Sequence, residues 1–169
     1  FEDAISLLPY LVDLGVNAVE LLPMSEFSGE ANWGYETSHY FALEYSAGGR
    51  DQLKHFIRDC HRHGIAVIMD VVYNHYSPNA GRAEWAYDSD VPERNIYYWY
   101  EGNSSNYPQP DGGYVDNMST GYSPRFHAEM VRKMFISSAV TLMEEFHVDG
   151  FRVDQTTGMH LYNVLHADG

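Results

Sequence analysis

Three short apolar runs, each preceded by a helical pattern, constrain this chain more than any other feature. The runs are VNAVELLPM at 16–24, GIAVIMDVV at 64–72 and VDGFRVD at 148–154. Before the first, residues 4–14 place Leu7, Leu8, Leu11, Val12 and Leu14 at helical spacing, with Gly15 as the stop and Pro9 blurring the start. Before the second, residues 51–63 turn Leu53, Phe56, Ile57 and Cys60 inward and end at Gly64. Before the third, residues 124–146 begin with Ser123 as N-cap and Pro124 as first helical residue, with Met130, Met134, Ala139 and Leu142 inward. Helix and strand in alternation imply parallel strands, and nearly unbroken apolar strands imply burial on both faces. The class is α/β. Pattern alone leaves a doubly wound sheet and a barrel both open.

Between these units the spacing departs from the roughly 30 residues of a bare βα repeat. A long loop joins Pro23 to Gly49. A second stretch, 76–123, has no clear periodicity and holds Trp85, Tyr87, Tyr97, Tyr98, Trp99, Tyr100, Tyr107, Tyr114 and Tyr122. A structureless loop of that length is uncommon, so it is expected to form a small aromatic-rich subdomain. The organisation expected is 1–75, the insert 76–123, and 124–169. Three strands leave parallel edges unpaired and the chain opens on Phe1 in mid-pattern, so a fragment of a larger catalytic domain is expected.

A net charge of −14 argues against nucleic acid and anionic membranes as partners. No apolar run approaches the roughly 20 residues of a membrane span. The single cysteine, Cys60, excludes a disulfide within the chain and sits on a helix pattern as a small core residue.

All three runs end in polar residues, at the strand ends where α/β folds keep their sites. In the third, Arg152 and Asp154 are two apart and share one face of a buried strand, with Phe151 and Val153 on the other. Left alone in a core either charge would be costly, so they form a structural pair or line a site. An aspartate held ionised by that arginine is also what a nucleophile in retaining sugar transfer requires. Asp70, Asn74 and His75 end the second run. They suit a sugar subsite, a calcium site through the Asn oxygen and the carboxylate, or simple strand-end capping. The aromatic residues of the insert fit a sugar's apolar face, but for any single ring a place in the core of a small subdomain is the favoured reading.

Taken together and in order, these segments resemble the α-amylase superfamily, glycoside hydrolase family 13. DVVYNH at 70–75 is similar to its first signature and GFRVD at 150–154 to its second. NWGY at 32–35, with the stretch from 40 to 75, resembles the family's region between the second and third barrel strands. Within the superfamily the resemblance leans towards α-glucan branching enzymes and malto-oligosyltrehalose trehalohydrolases. It implies a (β/α)8 barrel of which this chain supplies strands two to four, with the insert as a domain-B-like element. It implies that Asp154 is the nucleophile and that Arg152 sets its ionisation. His75 would hydrogen-bond the sugar in the cleaved subsite, Tyr35 would stack beneath it, Trp33 of the same motif would contact substrate, and Asp70 would support the site. No cofactor is required, although Asn74 matches a position that binds calcium in many α-amylases.

The implied substrate is an α-glucan such as glycogen, starch or a maltooligosaccharide. Branching is the leading activity, trehalohydrolase or another amylase-type hydrolysis the alternative. A non-catalytic relative would have lost Asp154, Arg152 or His75. The family's general acid, a Glu at the next strand end, would lie past Gly169, and neither Glu20 nor Glu101 occupies a matching motif. The isolated piece is therefore expected to be inactive and to need the remainder of its own barrel. Gln155, Gly158 and His39 depart from the family's usual residues, and Gly158 makes simple endo-hydrolysis of starch the poorer fit. A branching-type enzyme would be cytoplasmic, in keeping with one free cysteine.

Overall fold

The computed structural model describes residues 1–27, 29, 32–75, 77, 124, 126 and 129–160. Their elements run α1 (Glu2–Ile5), α2 (Leu8–Asp13), β1 (Ala18–Leu21), β2 (Ser25–Phe27), β3 (Thr37–Leu43), α3 (Gly49–Arg62), β4 (Ala66–Val71), α4 (Glu129–Phe146), β5 (Gly150–Val153) and α5 (Thr157–His160). The three apolar runs become β1, β4 and β5, which form one parallel sheet in the order β1-β4-β5. Strand β4 is central, and its Val67, Met69, Asp70 and Val71 are all buried. The insert expected over 76–123 lies outside the described residues, apart from Ser77.

Helix α3 follows its sequence pattern closely. Leu53, Phe56, Ile57 and Cys60 form its buried stripe, and Gly64 ends it at φ +72°, in the left-handed region open to glycine. Truncating Ile57, which is 1% exposed, would cost about 2–5 kcal/mol.

Elsewhere the structure departs from expectation. The first helical pattern splits into two short helices, because Pro9 lacks the N–H that a continuous helix would need and sits instead in the first turn of α2. Leu8 is buried while Leu7 and Leu14 face solvent. Pro124 is not the first helical residue: it lies in an isolated bridge and helix begins at Glu129. The proposed cap Ser123 is outside the described residues. Met130 is 45% exposed, since the inward stripe of α4 is Val131, Phe135, Ser138, Leu142 and Phe146. Those positions recur at the i+3 and i+4 steps of a single helix face, and Met130 falls off it. Met134 and Ala139 pack against the core from its margin.

The long loop after Pro23 contains the antiparallel pair β2–β3. Buried Glu44 fastens it. Its Oε2 accepts the Phe27 N–H at 3.4 Å and its Oε1 the Ser46 N–H at 3.0 Å. The pair hands the chain to α3 and sends the segment between its strands, with Tyr35, towards the carboxyl end of β4.

Candidate active site

Parallel pairing places Asp70 of β4 directly beside Arg152 of β5. Residues in register on neighbouring strands face the same way, so the register itself brings cation and carboxylate together. One step beyond β5, the Asp154 N–H donates to Val71 O at 3.0 Å and continues the ladder. Asp154 is thereby held at the strand mouth.

Arg152 joins the two carboxylates through one nitrogen. Its Nη1 donates to Asp70 Oδ2 and to Asp154 Oδ1, each at 2.7 Å. The hydrogen bond to Asp70 and then the contact with Asp154 push the guanidinium further above its already high pKa. Asp70 is 2% exposed and its Oδ2 also accepts the Tyr35 hydroxyl at 2.7 Å. That hydrogen bond, then burial, raises the Tyr35 phenol above its ordinary value, so it remains a donor at neutral pH.

Asn74 secures the other side of Asp154. Its Nδ2 donates to Asp154 Oδ2 at 3.0 Å and to Asp154 O at 3.1 Å. Both carboxylate oxygens of Asp154 are therefore fixed by donors, one from a guanidinium and one from an amide. With its nitrogen so occupied, Asn74 turns its oxygen to His75 Nδ1, 2.6 Å away. His75 Nε2 faces Tyr35 O at 2.9 Å. Both partners of the imidazole are acceptors, so keeping both bonds uses a ring protonated on both nitrogens, and a neutral ring keeps one.

The segment carrying Tyr35 is shaped by Gly34. Its φ is +89°, and a Cβ there would lie 2.2 Å from the Pro23 carbonyl oxygen, so only glycine lets this loop close on the end of β1.

Tyr35, Asp70, Asn74, His75, Arg152 and Asp154 thus form one hydrogen-bonded cluster. Trp33 does not join it: the residue is 74% exposed and its N–H donates to Asn32 Oδ1. The Asn74 oxygen faces His75, and among the described residues there is no group of three or more His, Cys, Asp or Glu that could hold a metal. Two contributors escaped the sequence reading. The Tyr40 hydroxyl donates to His75 O at 2.6 Å, and Ser138 donates to Tyr40 O at 2.8 Å. A cleft of about 740 Å³ between α3 and α4 contains none of the cluster; Lys54, His55, Arg58 and Glu145 line it.

Comparison with known proteins shows which family the chain belongs to. The alpha amylase catalytic-domain family matches residues 2–165. The chain belongs to the alpha-amylase family. That family, glycoside hydrolase family 13, comprises glycoside hydrolases and transferases. Among its relatives is a malto-oligosyltrehalose trehalohydrolase of Saccharolobus solfataricus, 33% identical over 154 residues, covering 91% of this chain and 24% of that protein. A 1,4-alpha-glucan branching enzyme GlgB of Pseudoalteromonas atlantica is 32% identical over 153 residues, covering 90% of this chain and 19% of the enzyme. Among solved structures, a cyclomaltodextrinase superposes with TM-score 0.72 at 27% identity, over 89% of this chain and 26% of its own. Pullulanase type I from Bacillus subtilis, complexed with maltose, gives TM-score 0.69 at 31% identity, over 92% of this chain and 22% of its own. The chain spans about a quarter of these proteins' length or less. Among the described residues, no helix is long and apolar enough to cross a membrane.

Proposed function

We propose that the full-length protein is a retaining α-glucan-active enzyme, most simply a 1,4-α-glucan branching enzyme, with Asp154 as nucleophile. The carrying observation is the clamp on Asp154, whose two oxygens take hydrogen bonds from Arg152 and Asn74 at 2.7 and 3.0 Å. A carboxylate held in one orientation at a strand mouth suits attack on an anomeric carbon. In this reading β1, β4 and β5 are the second to fourth strands of a (β/α)8 barrel. The superposition on a cyclomaltodextrinase supports that assignment.

The reaction is double displacement. An Asp154 oxygen bonds to the anomeric carbon as the bond to the glycosidic oxygen breaks, and a general acid protonates the departing oxygen. We assign that acid to a Glu outside these 169 residues, its carboxyl ~5–5.5 Å from that of Asp154 as retention requires. A glucan hydroxyl, or water, then attacks the anomeric carbon as its bond to the Asp154 oxygen breaks, and gives its proton to the same group. His75 meets the sugar in the cleaved subsite, Tyr35 lies beneath it, and Trp33 contacts the glucan further out. No step in this reading requires a cofactor. The enzyme is placed in the cytoplasm, where its glucan substrate would be glycogen.

Trehalohydrolase activity is the second reading, favoured by the equally similar trehalohydrolase relative. The full-length protein incubated with linear amylose and followed by proton NMR separates them. New α-1,6 anomeric signals without a matching rise in reducing ends are expected. Reducing ends without α-1,6 signals would replace branching by hydrolysis. Silence on amylose with release of trehalose from a maltooligosyl-trehalose would establish the second reading.

A further inference from the structure

We propose that Tyr40 and Ser138 are positioning residues for His75, linking α4 to the site through a buried chain of hydrogen bonds. The proposal rests on the reading of His75 as a sugar-contacting residue. Ser138 is 1% exposed and has one proton, which it donates to Tyr40 O on β3. The Tyr73 hydroxyl, 3.0 Å from Ser138 Oγ, is therefore the donor in that contact. Tyr40 is 5% exposed and donates its own hydroxyl to His75 O. Phe135, one helical turn before Ser138 on the same face of α4, packs edge-on against Tyr40 and tilted against Tyr73, with both ring centroids at 5.1 Å.

This arrangement grips the segment 73–75 at both ends. Tyr73 is tied to α4, and the His75 carbonyl is tied to β3. The imidazole then spans Asn74 Oδ1 and Tyr35 O, so its ring plane follows from a main chain tied on both sides. Helix α4 also leads directly into β5, which carries Arg152. One helix face thus sets the spacing between His75 and the Arg152–Asp154 pair. A catalytic geometry needs tolerances of well under an ångström, which a buried network of this kind supplies.

The test uses the full-length protein with Tyr40→Phe, Ser138→Ala and a control, Leu142→Val. Tyr40→Phe keeps the ring packing and removes only the donor to His75 O. Leu142 is buried on the same helix face, further from the tyrosine contacts. Tyr40→Phe is expected to lower kcat on amylose about tenfold with little change in KM, as for loss of one well-placed hydrogen bond. Ser138→Ala should act in the same direction. Leu142→Val should lower Tm comparably and leave kcat within twofold. The nitrogen-15 resonances of the His75 ring, assigned with His75→Gln, should move in Tyr40→Phe and stay in the control. Unmoved resonances, or kcat unchanged in both Tyr40→Phe and Ser138→Ala, would overturn the proposal. If the wild-type protein is silent on every α-glucan, the functional reading fails, and the ring resonances still decide the positioning on their own.

Discussion

Replacing Asn74 by aspartate is the most searching perturbation of the clamp on Asp154. The change is nearly isosteric, but it sets a carboxyl oxygen where Nδ2 now stands, 3.0 Å from Asp154 Oδ2. Two unit charges at that distance repel by about 5 kcal/mol at an effective dielectric of 20. At 1.36 kcal/mol per tenfold, removing the second proton from the pair becomes more than a thousandfold harder. The two groups therefore share a proton over part of the working pH range. While the introduced carboxyl keeps its proton it can donate to Asp154 much as the amide did. Once that proton leaves, the clamp becomes a repulsion and the Asp154 carboxylate is displaced. The expected result is a wild-type to Asn74→Asp ratio of kcat/KM that is small at acid pH and rises by one to several orders of magnitude as pH rises. The assay is kcat/KM on amylose between pH 4.5 and 9, taken as a ratio so that titrations common to both proteins cancel. A flat ratio would refute the reasoning, because it would mean that the Asn74 amide does not orient Asp154.

Other perturbations probe the surrounding frame. At Asp70, whose Oδ1 makes no hydrogen bond with the described residues, asparagine can turn its nitrogen there and keep accepting from Tyr35 and Arg152. Urea denaturation of the full-length protein should thus show Asp70→Asn losing about 1–2 kcal/mol and Asp70→Ala about 3–5. Burial first, then Asp59 and Asp149, pushes the Cys60 thiol up to about 11, so peptide mass mapping at pH 8 should find it unlabelled by iodoacetamide until the protein unfolds. At Asp149 burial works to raise the pKa, but the Val67 N–H at 2.8 Å and His61 at 2.8 Å outweigh it and the net shift is downward. A lowered pKa contributes stability above the unfolded-state value near 4, lost as pH falls through the folded one. Because the side chain is 40% exposed, Asp149→Asn should cost only about 1 kcal/mol at pH 7, and its Tm should converge with wild type near pH 2.

The parts of this fold that were legible in the sequence are those written in local periodicity. The stripe Leu53, Phe56, Ile57 and Cys60 needed only a helical period and a stopping glycine, and all four are buried. The pairing of Arg152 with Asp154 needed only the two-residue repeat of a strand, and the 2.7 Å bond follows. Trp33 is exposed and stands apart from the cluster, a placement that a motif, which records residue types, does not give. The hairpin β2–β3 was missed because β2 has only three residues and the pair is partly polar and irregular in register, so no clean alternation marks it. Met130 was misplaced for a different reason. On an 18-residue helix with apolar residues around much of its circumference, what packs against it selects the inner face. The same logic hides the network behind His75. Ser138 lies 98 positions from Tyr40 and 65 from Tyr73, and a serine inside a helix pattern carries no mark of a distant partner. A buried hydroxyl must nevertheless be satisfied, so once the fold brings Ser138 between two tyrosines, its hydrogen bonds are as constrained as those of the charged cluster. Residues that bear charge at strand ends announce themselves because burying them alone is costly, whereas the neutral groups that hold them in place become visible only when the packing is known.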